Sequence, residues 1–309
     1  MGTGMNPGTA AVPVESKPVV QWVSPAWLEE HLEDRAIMIL DCRKDVHDYF
    51  RAHIPGAAHV TECLFRMHTG TIPVRWVSPK IAEGIIRGLG IHDGHSVIVL
   101  TDGVTGAEGF SSGTAGLSAT GDGFEAAFVA YSLARYGHAR IRILDGGLTR
   151  WVLEDRPQTQ VFTITRPSGY TVTVREEFFI RYPEVLRIKD QPGVVLLDSR
   201  PTSAYTGKAA WIKPGHIPGA LNIPAQSLMD EHNTALLKPP HALRQLFCSQ
   251  GITPDKTVIC SCGTGRVATM VFLVLKYLLG YPNVLMFEGG FTEWVSYPDN
   301  PVAVGKDPR

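Results

Sequence analysis

One cysteine in the second half of the chain carries the signs of a nucleophile. Cys262 opens the segment Cys262-Gly263-Thr264-Gly265-Arg266-Val267, which lies between an apolar run typical of a buried strand (Thr257 to Cys260) and a longer one typical of a helix (Val267 to Leu279). The two glycines let the backbone bend tightly and turn its N–H groups inward, and the helix adds its positive end. The segment therefore predicts a cradle for negative charge, beginning with the thiolate of Cys262 itself.

The reactivity of this cysteine depends on the pKa of its thiol. An ordinary thiol has a pKa of about 8.5, and a helix N-terminus or a neighbouring cation lowers it by about one to several units. Arg266, four residues after Cys262, is such a cation. We therefore expect the loop and Arg266 to lower the pKa of Cys262.

The elements around this loop belong to a duplication. In each half of the chain a short apolar strand ends at an aspartate, Asp41 or Asp198, and His-Ile-Pro-Gly-Ala follows at 53–57 and again at 216–220. A third match aligns residues 143–152 with 286–295, which share Gly-Gly-x-Thr-x-Trp-Val. A repeat of this length is a whole domain, because solenoid units span only about 20 to 50 residues.

Each copy alternates strands with helices, which predicts an α/β fold with two tandem domains, each a mostly parallel sheet flanked by helices. We place the N-terminal domain at 19–156, an extended linker at 157–173 and the C-terminal domain at 174–309. Residues 1–18 are expected to form a disordered leader without the features of a secretory signal. Ligands of such sheets bind beyond the carboxyl ends of the strands, which is where Cys262 falls.

The two copies differ at the nucleophile. When Ser96 to Leu100 is aligned with Thr257 to Ser261, Thr101 stands opposite Cys262, so the first copy has no catalytic cysteine. After Thr101 the first copy carries a long Gly-, Ser- and Thr-rich segment, 102–124. This segment is either a solvated insertion or a lid over the site of the second copy.

Composition excludes several classes of function. The formal net charge of −1 argues against a nucleic-acid-binding surface. No stretch offers the roughly 18 uninterrupted apolar residues of a membrane span. The five cysteines have no disulfide-framework or metal-ligand spacing, so we expect free thiols, a reducing cytoplasmic compartment and no metal or other cofactor. Cys260, inside the strand, is expected to pack in the core.

Taken together, these motifs resemble the tandem-domain rhodaneses, the sulfurtransferases that include thiosulfate sulfurtransferase and 3-mercaptopyruvate sulfurtransferase. The resemblance covers roughly Trp22 to Trp294 and rests on paired HIPGA segments, paired Asp-x-Arg and Gly-Gly-x-x-x-Trp motifs, and a C-x-x-G-R-x-A loop in the second copy alone. It implies a six-residue active loop, Cys262 to Val267, whose cysteine carries sulfur as a persulfide. The implied acceptor is cyanide, a thiol or a thioredoxin-like dithiol protein.

The resemblance leaves the sulfur donor open. Gly263 and Gly265 match a mercaptopyruvate-type loop, which resembles C-G-S-G-V-T, and Thr264 stands in place of its serine. Arg266 departs from both that loop and the thiosulfate type, C-R-K-G-V-T. Arg266 therefore either faces solvent or holds an anionic donor, and Thr264 is either a turn residue or a hydroxyl that handles a proton.

Three more residues are candidates for binding the donor. The family places a substrate-binding arginine at Arg200, yet Arg43 holds the same position in the copy without a nucleophile, so a structural role is equally open. An insertion unique to the second copy, 205–213, lies where mercaptopyruvate enzymes carry a second arginine. No arginine is present there, and Lys208 or Lys213 is either its substitute or a solvated lysine.

Two other functions compete with sulfur transfer by an enzyme. One is that of the phosphatases and arsenate reductases of the same fold, whose loop resembles a pattern of Cys, five residues and Arg. In this chain Arg266 is already the fourth residue after Cys262, so the cradle is too small for a tetrahedral oxyanion. The second is a sulfur-carrier or redox-sensing module that delivers its persulfide to a protein partner, with little turnover on small donors.

Overall fold

The structure is a computed structural model that describes residues 19–103 and 122–308. The predicted leader, 1–18, and most of the predicted 102–124 segment lie outside these residues. Residues 157–173, predicted as a linker, form neither helix nor strand. They lie against the N-terminal unit, where Thr159 pairs with His53 and the hydroxyl of Tyr170 donates to the carbonyl of Tyr136 at 3.1 Å. The domain boundaries themselves stay a prediction.

The N-terminal unit is built on a five-stranded sheet and a separate hairpin. Its strands are β1 (Val20–Val23), β2 (Ile37–Asp41), β3 (Ala57–His59), β4 (Arg66–Thr69), β5 (Ile72–Trp76), β6 (Ser96–Leu100) and β7 (Ile141–Leu144). Its α-helices are α1 (Pro25–Glu30), α2 (Val46–Arg51), α3 (Pro79–Gly88), α4 (Phe124–Arg135) and α5 (Gly147–Leu153). The sheet has the order β1-β7-β6-β2-β3, with every pair parallel, and β4 and β5 form the antiparallel hairpin.

The C-terminal unit repeats the parallel sheet of the N-terminal unit with one strand fewer. Its strands are β8 (Val194–Asp198), β9 (Leu221–Asn222), β10 (Thr257–Ser261) and β11 (Val284–Met286). Its α-helices are α6 (Tyr182–Ile188), α7 (Thr202–Tyr205), α8 (Pro240–Ser249), α9 (Ala268–Leu273) and α10 (Gly290–Ser296). The sheet order is β11-β10-β8-β9, all parallel. The strand equivalent to β1 is reduced to a single bridge between Phe179 and Met286. The predicted α/β fold with two parallel sheets is confirmed.

The apolar runs become central strands because both faces of each sheet are covered. All five residues of β6 are buried, and so are the last four of β10. Parallel sheets covered on both faces read as continuous apolar runs rather than as alternating patterns. After the loop, α9 continues as a π-helical turn, Val274–Leu278, close to the predicted helix. Among the described residues, no helix combines the length and apolar character of a membrane span.

The register of the two sheets confirms the predicted equivalence of Thr101 and Cys262. In each copy the last residue of the central strand, Leu100 or Ser261, pairs with the aspartate that ends the neighbouring strand. The next residue, Thr101 or Cys262, accepts at its carbonyl a backbone hydrogen bond from the first turn of α5 or α10, at 2.9 and 2.7 Å. The copies therefore share one backbone frame at this point and differ in the side chain.

The Asp-x-Arg motif forms the same buried ion pair in both copies. Arg43 donates from Nε and Nη2 to the carboxylate of Asp41 at 2.6 to 3.1 Å, and from Nη2 to a backbone carbonyl at 2.7 Å. Arg200 repeats these contacts with Asp198 at 2.6 to 3.0 Å and with another backbone carbonyl at 2.7 Å. Because the pair is present without a nucleophile in the first copy, its first role is to hold the strand end.

The equivalent helices α4 and α9 pack against each other and join the two units. Phe124 to Ala134 of α4 are all buried, and the ring of Tyr131 meets that of Phe272 edge-on at 5.1 Å. Arg135 donates to Glu288 at 2.6 Å, and Arg75 pairs with Glu293. One hydrophobic core therefore runs through both copies, and the N-terminal unit lies directly against the active loop.

The buried Asp–Arg pair generates a stability prediction. Asp41→Asn removes the carboxylate that Nε and Nη2 of Arg43 bind, and the guanidinium of Arg43 is 0% exposed. Removing one partner of a buried ion pair costs about 3 to 5 kcal/mol. We expect the free energy of unfolding to fall by about that amount in guanidinium denaturation of the full chain.

A matched control is Glu176→Gln, which also converts a carboxylate to an amide opposite an arginine. Its pair with Arg181 is solvent-exposed, at 59% and 65%. Exposed pairs contribute less than about 1 kcal/mol. Equal losses in Asp41→Asn and Glu176→Gln would contradict a structural role for the buried pair.

Candidate active site

Cys262 directly follows the carboxyl end of β10, as predicted, and β10 lies between β8 and β11 in the sheet. Its side chain is 2% exposed, and its neighbour on the strand, Cys260, is fully buried in the core as expected. All five cysteines lie within the described residues and all are free thiols. Within residues 19–103 and 122–308, no group of three or more His, Cys, Asp or Glu side chains is arranged to hold a metal ion.

The two loop glycines are required by close contacts. Gly265 has φ +76, and a Cβ there would lie 2.5 Å from the carbonyl oxygen of Glu288 and 2.8 Å from the ring of Trp76. A Cβ at Gly263 would lie 2.8 Å from the ring of Trp211. The loop is therefore enclosed by side chains from both copies, and the predicted turn fits there only with glycine at these two positions.

The environment of the Cys262 sulfur sets two effects against each other. Burial raises the pKa of the thiol, and the carboxylate of Asp198 raises it further. The backbone N–H groups of Ala268, Thr264 and Val267 lower it, because they face the sulfur as hydrogen-bond donors. Burial prevails, so the pKa of Cys262 is higher than that of an ordinary thiol. The cradle thus holds a protonated thiol at rest. The expected lowering of the pKa of Cys262 is therefore wrong.

Arg266 lies neither in solvent nor in an open position to hold an anionic donor, the two alternatives predicted for it. The side chain is only 20% exposed, and Nε donates to Glu62 at 2.6 and 2.8 Å. The other nitrogens bind Asp122 at 2.5 and 3.0 Å and Glu125 at 3.2 Å. Three carboxylates of the N-terminal unit thus occupy this guanidinium, and an anionic donor would have to displace them.

A different arginine, Arg66 at the start of β4, contacts the loop from the N-terminal unit. Its Nη2 donates to the carbonyl oxygen of Thr264 at 2.9 Å and to the hydroxyl Oγ1 of Thr264 at 2.8 Å. Burial is the largest effect on the pKa of Arg66 and lowers it, whereas the carboxylate of Glu62 and the thiolate form of Cys262 act to raise it. Since Oγ1 accepts from Arg66, the hydroxyl keeps its own proton for donation.

Sequence reasoning missed the residues that the N-terminal unit brings to the loop. Arg66 and Trp76 come from the hairpin β4–β5, and Glu62 comes from the 3₁₀-helix before it, Glu62–Phe65. The only local signal is a charged and aromatic hairpin sequence around Gly70, which does not indicate its partner. These contacts span about 200 residues of chain, for example 198 between Arg66 and Thr264.

The insertion 205–213 reaches the loop through an aromatic residue. Trp211 covers Gly263, and the guanidinium of Arg200 lies over two rings, that of Trp211 at 5.7 Å and that of Phe291 at 4.0 Å. Lys208 is exposed. Lys213 donates to backbone carbonyls near the C-terminus, one of them that of Asn300 at 3.0 Å. Arg200 is thus close to the loop, whereas the ammonium group of Lys213 is already hydrogen-bonded to backbone carbonyls.

The enclosed glycine generates an activity prediction. Gly265→Ala forces a side chain against Glu288 and Trp76 and also strains a left-handed residue. A displacement of about 1 Å in a catalytic loop lowers the rate by about a hundredfold. We expect a loss of that order in kcat/KM for sulfur transfer.

Gly280→Ala is the matched control, because Gly280 has nearly the same φ, +74, and no atom lies within 4 Å of the place that a Cβ would take. It should lower stability by about 1 kcal/mol and leave kcat/KM unchanged. If both variants keep full activity, the close approach around Gly265 has no catalytic consequence.

The chain matches known proteins over nearly its whole length. The rhodanese-like domain family matches residues 24–154 and again 182–297. A putative thiosulfate sulfurtransferase of Synechococcus elongatus is 32% identical over 98% of this chain and 90% of its own length. The sulfur carrier protein TtuD of Thermus thermophilus is 29% identical over 92% of this chain and 97% of its own.

A solved structure agrees with these relatives. The crystal structure of SseA from Escherichia coli, described for the rhodanese fold and catalytic mechanism of 3-mercaptopyruvate sulfotransferases, superposes with a TM-score of 0.75 at 27% identity, over 88% of this chain and 98% of that one. Two family matches, high coverage by the relatives and the cysteine at the end of β10 agree. The chain belongs to the rhodanese family and is a tandem-domain sulfurtransferase.

Proposed function

We propose that the protein moves a sulfane sulfur from thiosulfate or 3-mercaptopyruvate, through a persulfide on Cys262, to cyanide, a thiol or a dithiol protein. The observation that carries this proposal is the cradle: three backbone N–H groups face the buried sulfur of Cys262. Preorganised donors of this kind stabilise charge that develops during a reaction, typically by about 3 to 4 kcal/mol each. In sulfur transfer, the thiolate before the transfer and the ionised persulfide after it both place negative charge on sulfur in this cradle.

In the first step, the Cys262 thiol gives its proton to solvent, and the resulting thiolate attacks the outer sulfur of the donor. A new S–S bond forms, and the bond from that sulfur to the rest of the donor breaks. The electron pair of the broken bond leaves with sulfite from thiosulfate, or with the enolate of pyruvate from 3-mercaptopyruvate. The N–H groups of Thr264, Val267 and Ala268 then hold the persulfide in place of the thiolate.

In the second step, an acceptor nucleophile attacks the outer sulfur of the persulfide. The S–S bond breaks, its electron pair returns to Cys262, and the product is thiocyanate from cyanide or a new persulfide from a thiol. With 3-mercaptopyruvate a proton must also move, because its thiol is the donor group and its enolate is the leaving group. The Thr264 hydroxyl, which accepts from Arg66 at 2.8 Å, is the proposed proton carrier.

For donor binding we favour Arg200 over the other candidates. Among the described residues, its Nη1 donates no hydrogen bond, whereas Nε and Nη2 hold Asp198. Lys208 is exposed and remains a candidate for a second charge on the donor. Arg266 is the weakest candidate, since its guanidinium is held by carboxylates. We also propose a reducing, cytoplasmic setting, supported by the free thiols.

The second candidate is a sulfur carrier that passes its persulfide to a protein partner. The likeness to the Thermus sulfur carrier favours it. The same Cys262 persulfide serves both functions, and the two differ in turnover. A carrier would be loaded with one sulfur and release it only to its partner.

Steady-state kinetics test the proposal. We expect thiocyanate from thiosulfate plus cyanide, or pyruvate from 3-mercaptopyruvate plus a thiol, with the larger kcat/KM identifying the donor. Cys262→Ser should lose at least about a thousandfold, because it removes the nucleophile. Cys248→Ser is the control, since this exposed thiol lies on α8, and should keep full activity.

Full activity in Cys262→Ser would refute the mechanism. No turnover together with a persulfide on Cys262, detected by mass spectrometry after treatment with thiosulfate, would favour the carrier function instead.

The raised pKa of Cys262 makes a separate prediction about pH. A raised thiol pKa means that the thiolate fraction, and hence the alkylation rate, continues to rise above the ordinary thiol pKa of about 8.5. We expect the midpoint of iodoacetamide alkylation at Cys262, followed by peptide mass spectrometry from about pH 6 to about pH 10.5, to lie above about 8.5.

The exposed Cys248 in the same digest controls for pH effects on the reagent. The midpoint is the quantity to compare, because burial also slows access at every pH. A midpoint for Cys262 below about 7.5 would show that the loop N–H groups outweigh burial.

A further inference from the structure

The first copy has a cavity at the carboxyl end of its sheet, the end at which the second copy carries Cys262. The cavity measures about 160 Å³ and opens beside the carboxyl ends of β2 and β6. Its lining includes three carboxylates, Glu62, Asp122 and Glu125, and one side chain of the second copy, Arg266. An arginine from the active loop of the other copy thus lines this cavity together with the three carboxylates.

The contacts between Arg266 and this acidic cluster are dense. Five hydrogen bonds or ion-pair contacts of 2.5 to 3.2 Å join the guanidinium to Glu62, Asp122 and Glu125. Thr101, at the position of the nucleophile, donates from its hydroxyl to Oε2 of Glu125 at 3.1 Å. The chain of contacts therefore runs from the degenerate site, through Glu125, to the active loop.

The electrostatics keep this contact charged. Burial acts to lower the pKa of Arg266, but its hydrogen bond with Asp122 and the charge of Glu62 raise it well above the ordinary value. Burial acts to raise the pKa of Asp122, and the hydrogen bond from Arg266 lowers it below the ordinary value. Glu125 differs, because burial and the charge of Asp122 raise its pKa to about 7. Arg266 and Asp122 thus remain ionised at neutral pH.

The position of Arg266 in the loop gives these contacts a consequence for the reaction. Val267 and Ala268 follow it directly, and their N–H groups are two of the three that face the sulfur of Cys262. The carbonyl of Arg266 also accepts from the hydroxyl of Thr269 at 2.6 Å, in the first turn of α9. Fixing Arg266 therefore fixes the direction of most of the donors to the sulfur.

We propose that the acidic cluster Glu62, Asp122 and Glu125 is a receptor for Arg266, and that these four residues position the active loop for sulfur transfer. The proposal rests on the proposed function of Cys262 and assigns a part in that reaction to the copy that has no nucleophile. None of the four touches the reacting sulfur. They act through the backbone of residues 267 and 268.

A double-mutant cycle with Arg266→Gln and Glu62→Gln tests the proposal. Each single variant should lower kcat by about tenfold or more with KM within about twofold, because the loop is misplaced while the donor site is intact. The kcat of the double variant should be no lower than that of the less active single variant, since both changes break the same contact. Arg266→Lys should restore little, because lysine lacks the fork that binds several carboxylates.

Arg75→Gln is the matched control. It breaks another ion pair between the two units, with Glu293, and leaves the contacts of Arg266 in place. We expect its kcat to stay within about twofold of the wild type. A loss equal to that of Glu62→Gln would mean that any weakening of the interface lowers activity, and would overturn the proposal.

Two other results would also overturn it. If Arg266 binds the donor, Arg266→Gln raises KM at constant kcat and Glu62→Gln lowers KM by freeing the guanidinium. Additive losses in the double variant would show that the two residues act separately.

Alkylation of Cys262 separates this proposal from the proposed function, because it requires no sulfur donor. In Arg266→Gln and Glu62→Gln the pH midpoint of alkylation should rise by about half a unit or more relative to Arg75→Gln, since misdirected N–H groups stabilise the thiolate less. Unchanged midpoints refute the positioning role. Absence of turnover in the wild-type protein refutes the proposed function instead.

Discussion

The desolvation of one sulfur atom governs the design of this protein. Cys262 is almost completely buried at the end of a central strand, and burial disfavours the thiolate that the proposed mechanism requires. Inward-facing backbone N–H groups compensate in part, and they face inward only while the loop keeps its shape. That shape depends on Gly265, which has no room for a side chain, and on Arg66 and Trp76 of the other copy. The shape of the loop in the second copy thus depends on its interface with the first copy.

The duplication shows which features belong to the fold. Both copies hold a buried Asp–Arg pair at a strand end, and both bind the carbonyl after the central strand with the first turn of the following helix. At the equivalent side chain they diverge, to Thr101 in one copy and Cys262 in the other. In the first copy, three carboxylates line a cavity near Thr101. Its helix α4 is buried on every face and packs against α9. The first copy thereby encloses the site of the second copy.

Local sequence was informative where the interactions are local or repeated. Apolar runs predicted the central strands, and the repeat predicted the equivalence of Thr101 and Cys262, because register follows from strands of equal length. The direction of the pKa of Cys262 was predicted wrongly. The donors that lower this pKa are near in sequence and visible as a glycine-rich turn, whereas the burial that outweighs them is produced by distant side chains such as Trp76 and Trp211.

The sequence by itself determined the α/β class, the two copies, the cysteine that follows the central strand of the second copy alone, and the glycine turn after it. Each of these depends on short-range periodicity or on comparison of one half with the other. Only the tertiary structure decided that Arg266 faces an acidic cluster, that Arg66 holds Thr264, and that a thiol in a cradle of N–H groups remains protonated at rest. Charge pairing and desolvation depend on which groups meet in space. Here those groups are about 200 residues apart in the chain, for example 204 for Arg266 and Glu62, and no local pattern specifies their meeting.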